Sequence, residues 1–374
     1  DLLRPAVFLS DALLMTGDLH EAALVARRGL SSARALGLER GVATVLAANL
    51  GEALLGTGDW ARAEAVLAAA VRTVASFWSH HVHVQCAALA LGRGDLDAAE
   101  ESLRLGAQAA REPAGAGQHA ALAAELALWR GSPDEAAAAV DDGLRTGPLT
   151  THLGVRTRVC ALGVRAEADR IRIAAARRDS RAVADARSRA DRLLAEAERC
   201  AATGLPDAEA WAAVARAEHG PPNPSRWEAA VDAWDRLGRP YQAARCRRYH
   251  AAVLLGAGGS TVDATRAARD AYRVATDLGA RLLQRELERL ARIARLNLAA
   301  EPAPGEPVPL GLTSREDQVL RLVARGYSNR EIATELAISP KTASVHVSHI
   351  MRKLGVSRRL DAAQIADLAR RPSR

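Results

Sequence analysis

Apolar residues along this chain recur at spacings of three and four, and no sustained stretch alternates apolar with polar. An α-helix imposes that period on a half-buried surface, and the missing alternation argues against half-buried strands. Alanine is abundant and β-branched runs are few, which favours helix almost throughout. The chain reads as all-α.

A longer period lies over the helical one. Gly17, Gly58, Gly94 and Gly131, each followed by Asp or Ser, stand 41, 36 and 37 residues apart. Seven positions before them are Ser10, Gly51, Ala87 and Ala124. Five after are Ala22, Ala63, Ala99 and Ala136, and twelve after are Gly29, Ala70, Gly106 and Gly143. All are small. Gly259 fits the same register through Ala252, Ala264 and Ala271, and Gly238 fits in part through Val231, Ala243 and His250. Small residues at fixed offsets let two antiparallel helices approach across a Gly-Asp turn. Large ones such as Leu50, Leu54, Trp60 and Leu67 fill the gaps. These units resemble the tetratricopeptide (TPR) repeat, although the proline that ends its unit is missing. The resemblance implies a TPR-like helical-repeat solenoid over residues 1–298, serving as a sensor or interaction domain. The register fades between about 150 and 230, where IRIAAARRDSRAVADARSRADRLLAEAERC is still helical and HGPPNPSR reads as a loop.

Residues 299–311, AAEPAPGEPVPLG, hold four prolines and cannot be helical. They read as a semi-rigid linker and place a domain boundary. Three helix starts follow in residues 312–374. Thr313 with Glu316 and Ser328 with Glu331 are capping-box pairs, and Ser339 precedes Pro340. The helices predicted are about 314–325, 329–336 and 340–354, punctuated by Gly326 and Gly355, with a fourth starting near Arg359 and carrying Ile365 and Leu368. Inward positions are Val319, Leu320 and Val323, then Ile332, Ala333 and Leu336, then Ala343, Val347, Ile350 and Leu354. Two short helices joined by a tight turn, the second long and basic, define a helix-turn-helix.

The third helix then presents Lys341, Ser344, Val345, Ser348 and Arg352 outward. A helix fits the major groove of double-stranded DNA. Small hydroxyls can meet base edges there, and an exposed valine can meet a thymine methyl. Ser328, Asn329, Ser339, Thr342, His346, His349, Lys353, Arg358 and Arg359 form a basic and hydroxyl flank suited to phosphates. Charge agrees: the net +7 of the whole chain falls as +6 on residues 312–374 and +1 on the rest. A basic module beside a near-neutral body points to an anionic partner.

The stretch from Leu312 and Thr313, through Arg315-Glu316, Gly326, Ser328-Asn329 and Glu331-Ile332-Ala333, to Ser339, Thr342, His346, Ile350 and Lys353-Leu354-Gly355, resembles the LuxR-type DNA-binding domain. The resemblance covers about residues 312–369. It implies a four-helix module, recognition by the third helix and a homodimer on DNA through the fourth. The chain departs from the family at Ala343-Ser344, where Val-Lys is usual.

With helical repeats ahead of it, the module resembles the C-terminal part of the large ATP-binding LuxR regulators. A P-loop needs lysine, and the only lysines are Lys341 and Lys353. The chain begins with Asp1 rather than Met, so a fragment is expected, with any ATPase either N-terminal to Asp1 or never present. No enzyme, cofactor or metal is expected within it. His80, His81, His83 and Cys86 read as surface histidines beside a buried cysteine rather than a zinc site. Cys86, Cys160, Cys200 and Cys246 are far apart and read as reduced thiols. Asp141-Asp142 and Glu100-Glu101 point to different helical faces, no G-x-S-x-G frames a nucleophile, and Trp227 and Trp234 share a core face. No apolar run is long enough to span a membrane.

The reading is a bacterial, cytoplasmic, nucleoid-associated transcription regulator. Its repeats would receive an unknown protein or small-molecule effector, and RNA polymerase is a further candidate partner. The alternative is a TPR-type interaction scaffold that DNA binding only localises.

Overall fold

The computed structural model describes residues 3–38, 41–73, 78–109, 116–146, 153–298, 319–320, 322–336, 339–354, 356 and 361–362, the side chains of Thr73, Thr146, Lys341 and Arg352 excepted. The proline-rich stretch 299–311, Thr313, Glu316, Gly355, Arg358, Arg359, Ile365 and Leu368 lie outside the described residues. Two compact units are present, Asp1–Leu298 and Ala299–Arg374. Every regular element among the described residues is an α-helix.

The first unit is built from helical hairpins. Helix α1 (Leu3–Thr16) pairs with α2 (Leu19–Ala35), α3 (Val42–Thr57) with α4 (Trp60–Thr73), α5 (Ser79–Arg93) with α6 (Leu96–Ala109), and α7 (Ala116–Trp129) with α8 (Pro133–Thr146). One turn makes all four. Gly17, Gly58, Gly94 and Gly131 have φ of +87°, +88°, +82° and +76°. The next amide then reaches back five residues: Asp18 to Leu13 O, Asp59 to Leu54 O, Asp95 to Ala90 O and Ser132 to Ala127 O, each at 2.9 Å. This satisfies carbonyls that the ending helix would orphan. The aspartates then open the following helix, accepting from the amides of Glu21, Arg62 and Ala98.

The fixed small positions lie where the helices touch. Ala22, Ala63, Ala99 and Ala136 are all 0% exposed. A Cβ on Gly29 would stand 2.8 Å from Leu46 Cδ1, on Gly51 2.7 Å from Leu67 Cδ2, and on Gly143 2.6 Å from the Ala120 Cβ. At Gly106 the nearest atom would be 3.4 Å away, so that position tolerates alanine. Ser10 has a further reason to be there: buried Asn49 donates its side-chain amide to the Ser10 hydroxyl at 3.0 Å.

The register fades after 150 because the helices lengthen. Helices α9 (Leu153–Ala176) and α10 (Ser180–Ala201) have 24 and 22 residues, against 14 to 17 earlier. Their turn is unchanged, with Arg178 at φ +58° in the glycine's place and the Asp179 amide bonded to Ala174 O at 3.0 Å. Counted from that turn, Ala190 at the twelfth position is still buried, but Ile171 and Val183, at the other two offsets, are large and only half-buried. Helices α11 (Pro206–Glu218) and α12 (Pro224–Arg236) flank the loop at HGPPNPSR, where Asn223 caps α12. Helix α13 (Pro240–Gly256) follows the turn at Gly238, then α14 (Thr261–Leu278) and α15 (Arg281–Ala294).

Two expectations need correction. At Gly259 the turn is one residue longer than in the other units: Gly258 takes φ +67°, the Gly259 amide bonds Leu254 O, and Ser260 caps α14. Ala264 and Ala271 keep their buried places, but Ala251 rather than Ala252 is the buried residue on α13. The histidine stretch is also reversed. His80 is 3% exposed and Cys86 only half-buried, because α5 is packed by α3, α4, α6 and α7. The other three cysteines are buried and all four are free. Burial pushes the thiols of Cys160 and Cys246 up to about 12, which keeps them in the unreactive form.

The unit folds back on itself. The turn at Gly17 receives Arg239, whose guanidinium donates to Gly17 O at 3.3 Å and pairs with Asp207 at 3.1 Å. The turn at Gly58 meets Pro240, and the turn at Gly94 meets Leu282, with Arg281 donating to Arg93 O at 3.2 Å. Tyr241 packs edge-to-face on Trp60 with centroids 5.0 Å apart. The first turn of α13 thus packs against the turns of the early hairpins. Trp227 and Trp234, 3% and 2% exposed, form the neighbouring core with Trp211 and Tyr249.

Charged groups are enclosed by this closure. Burial opposes ionisation of Glu125, but Arg245 at 2.6 Å and Arg158 at 2.7 Å outweigh it and hold the carboxyl below its usual range. Among the described residues Glu52 has no such pair. Burial raises its carboxyl to about 7 against a hydrogen bond from Gln118, with Asp11 and Asp207 adding to the rise.

Two measurements test this architecture. Gly131→Ala meets no atom within 4 Å, so it should cost only the left-handed backbone, about 1 kcal/mol. A Cβ on Gly94 would stand 2.9 Å from Leu282 Cγ and 3.1 Å from Leu282 N. Gly94→Ala should therefore lose about 1 kcal/mol more in denaturant unfolding; equal losses would deny the closure. For Glu52, a folded-state pKa above the unfolded one means stability is lost as pH rises from 4.5 through about 7. Glu52→Gln lacks that loss, so its melting temperature relative to wild type should climb between about pH 5 and about pH 8. A constant difference would show that Glu52 titrates normally.

Candidate nucleic-acid interface

Among the described residues of the C-terminal unit, ten buried apolar ones form the core. Val319, Leu320, Leu322 and Val323 come from the leading helical residues at 319–320 and 322–324, and Ile332 and Ala333 from α16 (Asn329–Glu335). Ala343, Val347 and Ile350 come from α17 (Pro340–Lys353), and Ala362 follows. Leu336 and Leu354 pack against this core while half-buried. Leu322, 6% exposed, is an inward position that helical periodicity alone did not single out. Of the fourth helix only residues 361–362 are described, and both are helical.

Local chemistry sets each element. Gly326, at φ +83°, ends the leading helix, and the Tyr327 amide reaches Leu322 O at 3.0 Å. Ser328 opens α16 with a complete capping box. Its hydroxyl accepts from the Glu331 amide at 3.3 Å, and Glu331 Oε2 accepts from the Ser328 amide at 2.6 Å. That bond holds the Glu331 carboxyl below its usual range. Ser339 opens α17 by accepting from the Thr342 amide at 3.0 Å, and the two hydroxyls lie 2.7 Å apart.

With Ala343, Val347 and Ile350 inward, α17 turns Ser344, Val345, Ser348, His349 and Lys353 to solvent. Val345 is 47% exposed. The Ser348 hydroxyl donates to Ser344 O at 3.0 Å, leaving its lone pairs outward. Thr342 is exposed and His346 half-buried. Lys341 and Arg352 have helical backbones within α17, their side chains being outside the described set, as are Arg358 and Arg359 entirely. Ser328 and Ser339 are exposed but serve as caps, and Asn329 is half-buried at the start of α16. The exposed Arg330, beside Asn329, is a cation that the sequence reading passed over. Its signal was the basic excess itself.

The departure at 343–344 divides between two environments. Ala343 is fully buried, so it removes methyl groups from the core. Ser344 is exposed, so it shortens the outer face by one cation relative to the usual lysine.

A helical-repeat body joined to a basic helix-turn-helix is the architecture of a DNA-binding transcription regulator. Residues 310–366 match the family described as bacterial regulatory proteins, luxR family (GerE). The C-terminal module is therefore a LuxR-type helix-turn-helix domain. Among the described residues no helix is long and apolar enough to cross a membrane. No group of three or more His, Cys, Asp or Glu among them could hold a metal ion.

The cap is testable. Ser328→Ala should lower the stability of the C-terminal unit by about 1 kcal/mol, while Ser328→Asp, which also caps, should keep most of it. Amide exchange in α16 reads this directly. Equal protection in all three proteins would show that the box contributes nothing.

Proposed function

We propose that the protein regulates transcription by reading the major groove with the outer face of α17. Ser344, Val345 and Ser348 contact base edges there, together with Lys341 and Arg352. The observation that carries this reading is Val345, a large apolar side chain left exposed between two exposed serines on a helix whose other face is buried. A solvated helix face gains nothing from such a valine, whereas a thymine methyl is a matching surface. Ser328, Asn329, Ser339, Thr342, His346, His349, Lys353, Arg358 and Arg359 contact phosphates. The cap hydroxyls at Ser328 and Ser339 mark helix N-termini, where backbone amides favour an anion.

The module acts as a homodimer through its fourth helix. Residues 1–298 receive the signal, a protein or small molecule, and 299–311 couple them to the module. The site of action is the nucleoid, with RNA polymerase as a partner, and the chain carries no catalytic step of its own. Enclosed chemistry in the repeats favours reception over a plain scaffold: buried ion pairs are costly to keep, and a scaffold's outer faces would not need them.

Binding-site selection tests the assignment. Ser348→Ala and Val345→Ala should each alter the selected motif at one or two positions, at about 1–3 kcal/mol per affected base pair. Lys353→Ala should weaken binding to every sequence and reduce the salt slope by about one. A motif unchanged in both face variants would remove α17's outer face from the reading role.

A further inference from the structure

One carboxyl inside the repeat unit stands apart from its neighbours. Glu52, on α3, lines a partly open cavity of about 170 Å³ between the early hairpins and the start of α13. Gln85 of α5 donates to Glu52 Oε2 at 3.0 Å, and Gln118 of α7 donates to both oxygens at 3.1 and 3.2 Å. Three successive hairpins thus converge on a single group.

The other acids of this cavity already have cations. Asp207 has Arg239, and Glu125 has both Arg158 and Arg245. Glu52 makes no ion pair among the described residues, and Arg158 is too distant to do more than temper its charge. Its two oxygens are nevertheless occupied as acceptors, an arrangement suited to the ionised carboxylate and not to the acid, which must also donate. Geometry prepares the charged form while burial penalises it. A cation entering the cavity reconciles the two. The walls suit an organic one: Trp60 and Tyr241 stand edge-to-face beside it, with Leu55 and Leu91 completing an apolar lining. The arginines of the cavity are each paired with an acid, Arg158 with Glu125 and Arg239 with Asp207, although the buried Arg158 Nε has no hydrogen-bond partner; Glu52 is the carboxylate left without a cation among the described residues.

We propose that this cavity binds a small organic cation, a primary amine or guanidine carrying a short alkyl chain, with its charged head on Glu52 and its body against Trp60 and Tyr241. As an effector site this rests on the reading of the repeats as the receiving domain; as a binding site it does not. Gln85 and Gln118 are positioning residues that aim the carboxylate.

The test is calorimetry on the full chain with butylammonium, butylguanidinium and 1-butanol, the neutral isostere of butylammonium. Saturable binding of at least one cation and none of the alcohol is expected. Glu52→Gln should weaken the cation by about tenfold or more, about 1.4 kcal/mol. Far-UV circular dichroism checks its fold, and Tyr241→Leu, which keeps the carboxyl, should weaken binding by a smaller factor. The comparison of charged and neutral probes on the wild-type chain decides the matter even if a variant does not fold. No saturable cation binding, equal binding of the alcohol, or undiminished binding in folded Glu52→Gln would overturn the proposal. Cation binding that leaves operator affinity unchanged keeps the site and removes only its role as a receiver of signals.

Discussion

A single hydrogen bond, from the residue after a left-handed turn to the carbonyl five positions earlier, organises most of this protein. It ends α1 at Gly17, α3 at Gly58, α5 at Gly94 and α7 at Gly131. It recurs at Arg178, Gly238, Gly258 and Gly279, and again at Gly326 in the DNA-binding module. Each instance stops one helix and reverses the chain so that the next can pack against it. The buried alanines and glycines then follow from geometry: once the turn fixes the start of both helices, the closest approach falls at constant offsets.

Those offsets are why so much was legible in the sequence. Ala22, Ala63, Ala99 and Ala136 are small because a short-range steric demand repeats, and repetition reveals it without coordinates. The module was readable for a similar reason. Ser328 and Glu331 lie three apart and cap locally, and the inward stripe Ala343, Val347 and Ile350 follows helical spacing. What could not be read depends on distance or on exceptions. Arg178 occupies a left-handed position that glycine usually marks, so the turn gave no signal. The Gly259 unit carries one extra residue, which moved the buried position from Ala252 to Ala251. The meeting of Trp60 with Tyr241 joins segments far apart in the chain and leaves no periodic trace.

The two units use charge in opposite ways. In the repeats, several arginines are turned onto neighbouring acids: Arg245 and Arg158 on Glu125, Arg239 on Asp207, Arg189 on Asp141. Such pairing leaves little net field outside. In the module, the exposed Lys353, Arg325 and Arg330 accompany the basic excess of residues 312–374, and that field is what a polyanion senses at long range. Helical repeats and helix-turn-helix are built from the same turn and caps, and differ in where their cations point.

The fold-back has a consequence for how such a chain can change over time. An open solenoid can gain or lose a hairpin, because each repeat touches only its neighbours. Here Arg239 sits on the turn at Gly17, Pro240 on that at Gly58, and Leu282 on that at Gly94. Duplicating or deleting one hairpin between them would rotate the later helices out of register with all three turns at once. The number of repeats is therefore fixed by the closure, and variation in this unit must proceed by exchanging side chains instead of lengthening the array.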